Sequence, residues 1–450
     1  MISPTAHKKV FIKTYGCQMN VYDSQKIYDV MQQHHNFVAH DSIEDADLII
    51  FNTCSVREKA QEKLFSDIGR LARVKKKNPH LTIAVGGCVA SQEGEAIMKR
   101  SPLVDIVFGP QTLHRLPALY AQHIQTGAPL WDIDFPAIEK FDHMPITQTE
   151  DSKAYVTIME GCSKFCSFCV VPYTRGAEMS RPLDDVLHEI ATLHSQGVKE
   201  ITLLGQNVND YRGRMHNGGY ASLALLIHYA AALDGIARLR FTTSHPKAFD
   251  QSLIEAYASE PKLANQLHLP VQSGSNRILT LMKRGYTIEE FTQKIQQLRI
   301  VRPDISITSD FIVGFPGEND EDFAETLGLV EDIVFDSAFS FIYSPRPGTP
   351  ASLLEDTVTL EKKKERLNQL QNLLQSQFTA RSKGLVDTVM PVLLDGLDDK
   401  THSHLIGRTE CHRLVHVEGP LSAVHSIQQV LITRATPHAL YGNMLSHDIS

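Results

Sequence analysis

Cysteine is sparse in this sequence, and so are several features that would confine the chain to a special class. Seven cysteines in 450 residues are an odd number and too few for a disulfide scaffold. No stretch of about 18 uninterrupted apolar residues is present that could span a bilayer. The opening "MISPTAHKKVFIKTYG" lacks the apolar run of a secretory signal. No membrane association is expected, and the cytoplasm is the expected compartment. A strong charge of either sign is missing too: 44 Lys and Arg against 52 Asp and Glu leave a net charge of −8, which gives no global signal for nucleic acid. Hydrophobic residues at 42% and charged residues at 21% are ordinary for a globular protein. The length exceeds one ordinary core, so two or three domains are expected.

One stretch departs from the even charge. Between Arg57 and Lys77 eight Lys or Arg face three Asp or Glu, ending in "RLARVKKKNPH". Such a run is most often a solvated helix face, and a phosphate-binding stripe is the alternative.

Three segments follow one another. In the first, residues 8–125, a strand, a small-residue turn and a helical pattern recur. "KVFIKTYGC" precedes "NVYDSQKIYDVMQQ", "ADLIIFNTC" precedes "SVREKAQEKLFSDIGRLARV", and "LTIAVGGC" precedes "VASQEGEAIMKR", with "DIVFGP" after them. Nearly all-apolar strands alternating with helices predict an α/β domain built on a parallel sheet. Cys17, Cys54 and Cys88 each stand directly after a strand, at the edge where open parallel sheets bind ligands. They lie about 35 positions apart yet can converge there.

The second segment, residues 148–380, carries six strand patterns, "AYVTIMEG", "KEITLLGQN", "RLRFTTSHP", "NQLHLPVQSG", "ISITSDFIVGFPGE" and "SAFSFIYSP", with helical patterns between. They predict a partial (β/α)6 barrel. Barrel chemistry gathers at the carboxyl ends of the strands, and here those ends are polar: Gln206 and Asn207, Ser244 and His245, Gln272 and Ser273, and Asp310. Each of these could equally be a packing or turn residue. The segment closes on "LEKKKERLNQLQNLLQSQFTARSK", where Leu360, Leu367, Leu370, Leu373 and Leu374 are spaced for one buried helical stripe. The third segment, residues 381–445, shows "TVMPVLLDG", "LIGRTE", "RLVHVEG" and "SIQQVLITRA", the pattern of a small OB-like β-barrel. Cys411 lies here alone and reads as an ordinary thiol.

"MEGCSKFCSFC" places Cys162, Cys166 and Cys169 in a glycine-flanked loop after the first barrel strand. Zinc sites usually arise from two separated pairs of ligands. Three closely spaced thiolates suit a 4Fe–4S cube with one iron left without a protein ligand. An amine and carboxylate of a small molecule can chelate that iron.

This loop, with Phe168 beside the last cysteine, resembles the signature of radical S-adenosylmethionine enzymes. There the cofactor occupies the open iron, and one electron releases a 5′-deoxyadenosyl radical. The wider set "TYGCQMN", "FNTCSVREKA", "VGGCVASQEG", "GCSKFCSFCVVPYTRG", "LLGQNVNDY", "TTSHP", "LPVQSGS", "DFIVGFPGE" and "YSPRPGTPA" resembles the methylthiotransferases. "LIGRTECHRLVHVEGP" is similar to their TRAM domain, a small RNA-binding barrel. The resemblance implies a second 4Fe–4S cluster on Cys17, Cys54 and Cys88, with buried inert thiols as the alternative. It further implies cofactor contacts from Phe168, Gln206, Ser244, Gln272 and Asp310. In "DFIVGFPGE", however, Asp310 replaces the first glycine of the looser G-x-I-x-G-x-x-E pattern, and Glu318 falls one place late.

The family's branch that acts on isopentenyl-adenosine, 3′ of the anticodon in tRNA, is the most similar. The implied partners are such a tRNA and an electron donor of the flavodoxin or ferredoxin kind, with the protein acting as a monomer. A sister activity on threonylcarbamoyl-adenosine or a ribosomal protein, and a non-catalytic iron–sulfur protein, are the alternatives. Arg175, after "VVPYT", could meet a phosphate or the cofactor carboxylate, or form a surface ion pair.

Overall fold

The apolar runs before Cys17, Cys54 and Cys88 become the centre of a parallel sheet. In this computed structural model residues 7–55, 58–135, 141, 144–398 and 404–445 are described. They fall into two units. The first holds the chain up to Gln148 together with Met159–Phe165 and Cys169–Arg181, and the second holds Thr149–Ile158, Cys166–Phe168 and everything from Pro182.

In the first unit, β1 (Lys8–Thr14), β2 (Phe37–Ala39), β3 (Leu48–Thr53), β4 (Thr82–Gly87), β5 (Ile106–Phe108) and β6 (Leu130–Asp132) form one sheet. Its order is β2-β1-β3-β4-β5-β6, and every pairing is parallel. All residues of β3 and β4 are buried, so alternate side chains feed opposite faces. Ile49, Phe51, Ile83 and Val85 pack on one face, while Leu48, Ile50 and Ala84 meet Ile27, Val30 and Met31 of helix Gln18–His35 on the other. Each of these side chains larger than alanine contributes about 1.5–3 kcal/mol by burial. The short edge strands β2 and β6 have no counterpart in the sequence reading. The direction of strand succession reverses between β1 and β3, the crevice where doubly wound sheets take their ligands.

After β6 the chain supplies β7 (Lys153–Thr157) to the second unit and the small antiparallel pair β8 (Met159–Glu160) and β9 (Met179–Ser180) to the first. The second unit adds β10 (Glu200–Leu204), the hairpin β11 (Arg212–Arg214) and β12 (Tyr220–Ser222), β13 (Arg238–Phe241), β14 (Gln266–His268), β15 (Ser306–Val313) and β16 (Ser337–Ile342). Parallel sheets β13-β10-β7 and β14-β15-β16 are linked by a bridge between Leu239 and Leu263, giving the six-stranded partial barrel that the pattern predicts.

The closing helix, Leu360–Lys383, does not bury the expected leucine stripe in full. Leu370 and Leu374 are buried, Leu367 and Leu373 are half-buried, and Leu360 is 53% exposed. Leu360 is the first residue after the Thr359 N-cap, ahead of the turn that packs. The stripe is continued instead by Lys363 and Arg366, whose Nη1 meets Glu318 Oε1 at 2.8 Å. Glu318 also accepts the Gly314 N–H at 2.9 Å, so it fastens a turn rather than facing a ligand.

Strands β17 (Val389–Leu397), β18 (Leu405–Thr409), β19 (Leu414–Glu418), β20 (Ile427–Ala435) and β21 (Leu440–Met444) close a barrel around Val392, Leu394, Val415, Val417, Val430 and Ile432. Buried Arg238 and Arg240 of β13 fasten it to the six-stranded barrel. Arg238 donates to the carbonyls of Pro391 and Arg408, and Arg240 to those of Thr409 and Glu410. Glu200 of β10 pairs with both arginines, at 3.0 and 3.2 Å. Among the described residues no helix is long and apolar enough to cross a membrane.

Candidate active site

Within the first unit Cys17, Cys54 and Cys88 stand at the ends of neighbouring strands, with Cys17 and Cys54 in contact. Cys17 is the N-cap of helix Gln18–His35, Cys54 follows β3, and Cys88 follows β4, with Cys17 exposed and the other two buried. Glycines permit the approach. A Cβ on Gly16, whose φ is +133°, would fall inside the Cys54 Cβ, and one on Gly87, with φ +91°, would collide with the Thr53 carbonyl. Asn20 and Asn52 lock the turns together: Asn52 donates to the Asn20 carbonyl at 2.8 Å and Asn20 to that of Thr53 at 3.2 Å.

The Cys17 thiol is lowered to about 6, chiefly because the Cys54 thiol donates to its thiolate; burial opposes this, and the charge of Arg175 adds to it. Arg175 is not the surface group that the sequence allowed. It is 3% exposed and donates through Nε to Cys88 Sγ at 3.4 Å. Its Nη2 meets Asp23 at 2.7 Å, and its Nη1 stands 3.7 Å from Glu160. Burial alone would weaken this cation, but Asp23, Cys88 and Glu160 together raise its pKa well above the ordinary value. Neither Asp23 nor Glu160 was singled out from the sequence; Glu160 has only its place two residues before Cys162 as a signal.

Cys162 and Cys169 are half-buried in the first unit, where the Cys162 N–H donates to the Gly176 carbonyl at 3.2 Å. Cys166 belongs to the second unit and is buried. Arg284 Nη1 reaches its sulfur at 3.4 Å, and His245 Nε2 lies 3.8 Å away. Arg284 is buried; desolvation works against its charge, but Tyr286 and Cys166 outweigh it and raise its pKa. Nothing in the local sequence "MKRGYT" marks Arg284 as a partner of Cys166.

Of the polar strand ends, His245 stands beside this cysteine, and the others have roles of their own. Asn209 grips His245 from both sides, accepting from its N–H at 2.9 Å and donating to its carbonyl at 2.8 Å. Thr243 and Gln272 hold left-handed backbones, φ +69° and +78°, at the ends of β13 and β14. Non-glycine residues in this region carry strain that concentrates at functional sites. Ser244 is buried, and its Oγ has no hydrogen-bond partner among the described residues. Gln206 is half-buried beyond β10, and Phe168 packs half-buried against Ile278, Met282 and Phe315. Ser273 receives the Ser275 N–H at 3.2 Å, a turn role. Asp310, half-buried, stands 3.6 Å from His268 Nε2.

Opposite Asp310 and Ile312 in the β15–β16 register lie Phe339 and Phe341. They are 63% and 45% exposed, their rings 6.5 Å apart and 20° from parallel. Their sequence, "SAFSFIYSP", reads only as a strand. Cys411 keeps to itself in the small barrel, 3.1 Å from Thr409 Oγ1.

Among the described residues no three Cys, His, Asp or Glu side chains form a group for a single metal ion. A lone zinc draws all its sulfurs to about 2.3 Å. A cube instead takes one thiolate at each of several irons, so a wider set of cysteines with buried cationic partners suits it.

Three family models match in succession: the uncharacterized protein family UPF0004 over residues 9–109, the radical SAM superfamily over 156–330, and the TRAM domain over 385–445. Full-length relatives are close. A tRNA-2-methylthio-N(6)-dimethylallyladenosine synthase of Legionella pneumophila (strain Corby) is 58% identical over 442 residues, 98% of this chain and 99% of the relative. One of the same name from Coxiella burnetii (strain RSA 493 / Nine Mile phase I) is 57% identical over 437 residues, 97% and 100%. The chain belongs to this synthase family. Solved structures agree on the fold of such enzymes. The radical S-adenosylmethionine methyltransferase TsrM from Kitasatospora setae, with cobalamin and a [4Fe-4S] cluster bound, matches 77% of this chain and 74% of that one with a TM-score of 0.56 at 14% identity. The cobalamin-dependent S-adenosylmethionine radical enzyme OxsB matches 82% of this chain and 56% of that one, with a TM-score of 0.53 at 14% identity.

Proposed function

We infer that this chain carries out the reaction for which its relatives are named, adding a methylthio group to carbon-2 of N(6)-dimethylallyladenosine beside the anticodon of tRNA. The observation that carries this reading is the pair of three-cysteine sets, each with one buried cysteine held by a buried arginine, in a chain that matches the synthases end to end.

Cys162, Cys166 and Cys169 would hold a 4Fe–4S cluster open to S-adenosylmethionine, and Cys17, Cys54 and Cys88 a second cluster. When bound, these groups supply one-electron radical chemistry and a place for sulfur. The protein's own part is to hold and orient. Arg284 balances the charge of a Cys166 thiolate in a buried setting, and Asn209 fixes His245 beside it. The unpartnered Ser244 hydroxyl would supply a hydrogen bond to the cofactor, and Gln272, Gln206, Asp310 and Phe168 would make further contacts with it. The paired faces of Phe339 and Phe341 suit a splayed-out base.

The small barrel would grip the anticodon stem, helped by Lys63, Arg70, Arg73, Lys76 and Lys77. All five are exposed, with Arg70 also paired to Asp67, while Lys75 is tied to Asp105 and Arg57 lies outside the described residues. A tRNA substrate implies work in the cytoplasm. A flavodoxin or ferredoxin would deliver electrons to the monomer.

The test is anaerobic. Protein reconstituted with iron and sulfide is reduced and given S-adenosylmethionine with an anticodon stem-loop bearing isopentenyl-adenosine, and the nucleosides are weighed by mass spectrometry. A methylthio mass gain that Cys17→Ala abolishes, while 5′-deoxyadenosine still forms, is the expected result. Cofactor cleavage with no gain on this RNA would move the substrate to that of a sister enzyme.

A further inference from the structure

Arg175 follows the radical-type cysteine loop by six residues, yet its side chain serves the other set. Its Nε lies 3.4 Å from Cys88 Sγ, and Asp23 anchors Nη2 at 2.7 Å. Nη1 has no hydrogen-bond acceptor among the described residues although it is buried. The Arg175 carbonyl accepts from Gln111 at 2.9 Å, so the backbone is held as well. A buried guanidinium normally spends its donors on oxygen acceptors. Here one donor goes to the Cys88 sulfur, and another has only Glu160 at 3.7 Å, beyond hydrogen-bond distance.

We propose that Arg175 is a positioning residue for the group held by Cys17, Cys54 and Cys88, donating charge-assisted hydrogen bonds to its sulfurs and raising its reduction potential. This rests on the reading that those cysteines hold an iron–sulfur cluster. Reduction adds negative charge to a cluster, and a nearby cation with hydrogen bonds to sulfur favours the more negative form. Asp23 and Glu160 temper that effect, so their removal acts in the opposite sense to removal of Arg175.

Full-length protein with Cys162, Cys166 and Cys169 changed to alanine isolates this cluster. After anaerobic reconstitution, iron and sulfide are counted, and the potential is read by redox titration followed by electron paramagnetic resonance. Arg175→Met is expected to shift the reduction equilibrium at least tenfold toward the oxidised form, about 59 mV downward for one electron. Arg175→Lys should recover part of the shift, and Asp23→Asn should move the potential upward. Because Arg175→Met also takes the cation away from Asp23, the variant combining it with Asp23→Asn removes one charge of each sign, and the downward shift that remains reads the lost hydrogen bond to the Cys88 sulfur. Iron-loaded variants with the parent's potential would overturn the role of Arg175 and leave the two-cluster reading intact. A parent that binds no iron would overturn the two-cluster reading, and the role of Arg175 with it.

Discussion

Arg284 Nη1 stands 3.4 Å from the sulfur of Cys166, with both side chains buried. Such a donor to a ligating sulfur acts as an outer partner that orients the ligand. Replacing Arg284 by Met should lower iron content after reconstitution and slow 5′-deoxyadenosine formation about 10- to 100-fold, the usual effect of losing an outer partner of a metal ligand. Lys at this position should recover only part, since its donors sit on one nitrogen whereas Cys166, Tyr286 and the Pro270 carbonyl are met by three separate nitrogens of the guanidinium. Iron counts and cofactor-cleavage rates equal to the parent's would contradict the assignment.

Gly87 makes a different demand. Its φ of +91° is costly for any side chain, and a Cβ there would strike the Thr53 carbonyl. Gly87→Ala should destabilise the protein by about 1–3 kcal/mol from backbone strain alone. It should also part Cys54 from Cys88. The expected outcome is a lower melting temperature together with the loss of roughly half the bound iron. Retention of all the iron would show that the close approach of these turns is not what brings the thiols together.

Much of this arrangement was legible in the sequence, because each strand run was long, apolar and followed by a turn bearing cysteine. β3 and β4 are buried on both faces, and such runs announce a central parallel strand. The edge strands β2 and β6 are three residues each and carry no pattern of their own. The helix Leu360–Lys383 was legible as a helix, but its buried face was not, because Lys363 pairs with Asp356 just ahead of the helix and Arg366 with distant Glu318. The same reason hid Arg284 and misled about Arg175. A buried arginine is chosen by partners 118 and 87 positions away in the chain, and no local pattern records them. Cys17, Cys54 and Cys88 follow β1, β3 and β4, neighbours in one sheet, and that much a strand-then-turn pattern records.

The join between the two barrels of the second unit should respond to acid. Glu200 is buried; desolvation works against its charge, but Arg240 and Arg238 outweigh it and hold its carboxyl below the ordinary value. A folded-state pKa that is depressed contributes stability fully present above the unfolded value, about 4.3 for glutamate, and lost as pH falls through the folded one. Stability measured by urea unfolding should therefore decline below about pH 4.5. Glu200→Gln should be less stable at neutral pH, by about 3–5 kcal/mol if the buried arginines are left uncompensated, and should lose part of that acid dependence. An unchanged slope of stability against pH in the variant would remove Glu200 from the account.

Phe339 and Phe341 present two nearly parallel rings on an exposed strand face, opposite Asp310 and Ile312. Exposed aromatic pairs are poor for stability and useful for stacking, where each base gained is worth about 1–3 kcal/mol. Changing either ring to alanine should leave the fold and the RNA-independent cleavage of S-adenosylmethionine unaltered. It should raise the KM for the modified stem-loop by about tenfold, the lower part of that stacking range. Phe339→Tyr, which keeps the ring, should stay near the parent. If both alanine variants turn over RNA with the parent's KM, the rings do not meet the substrate, and their exposure needs another cause. If KM rises and RNA-independent cofactor cleavage falls with it, the substitutions have disturbed the barrel itself, and the stacking role fails that test as well.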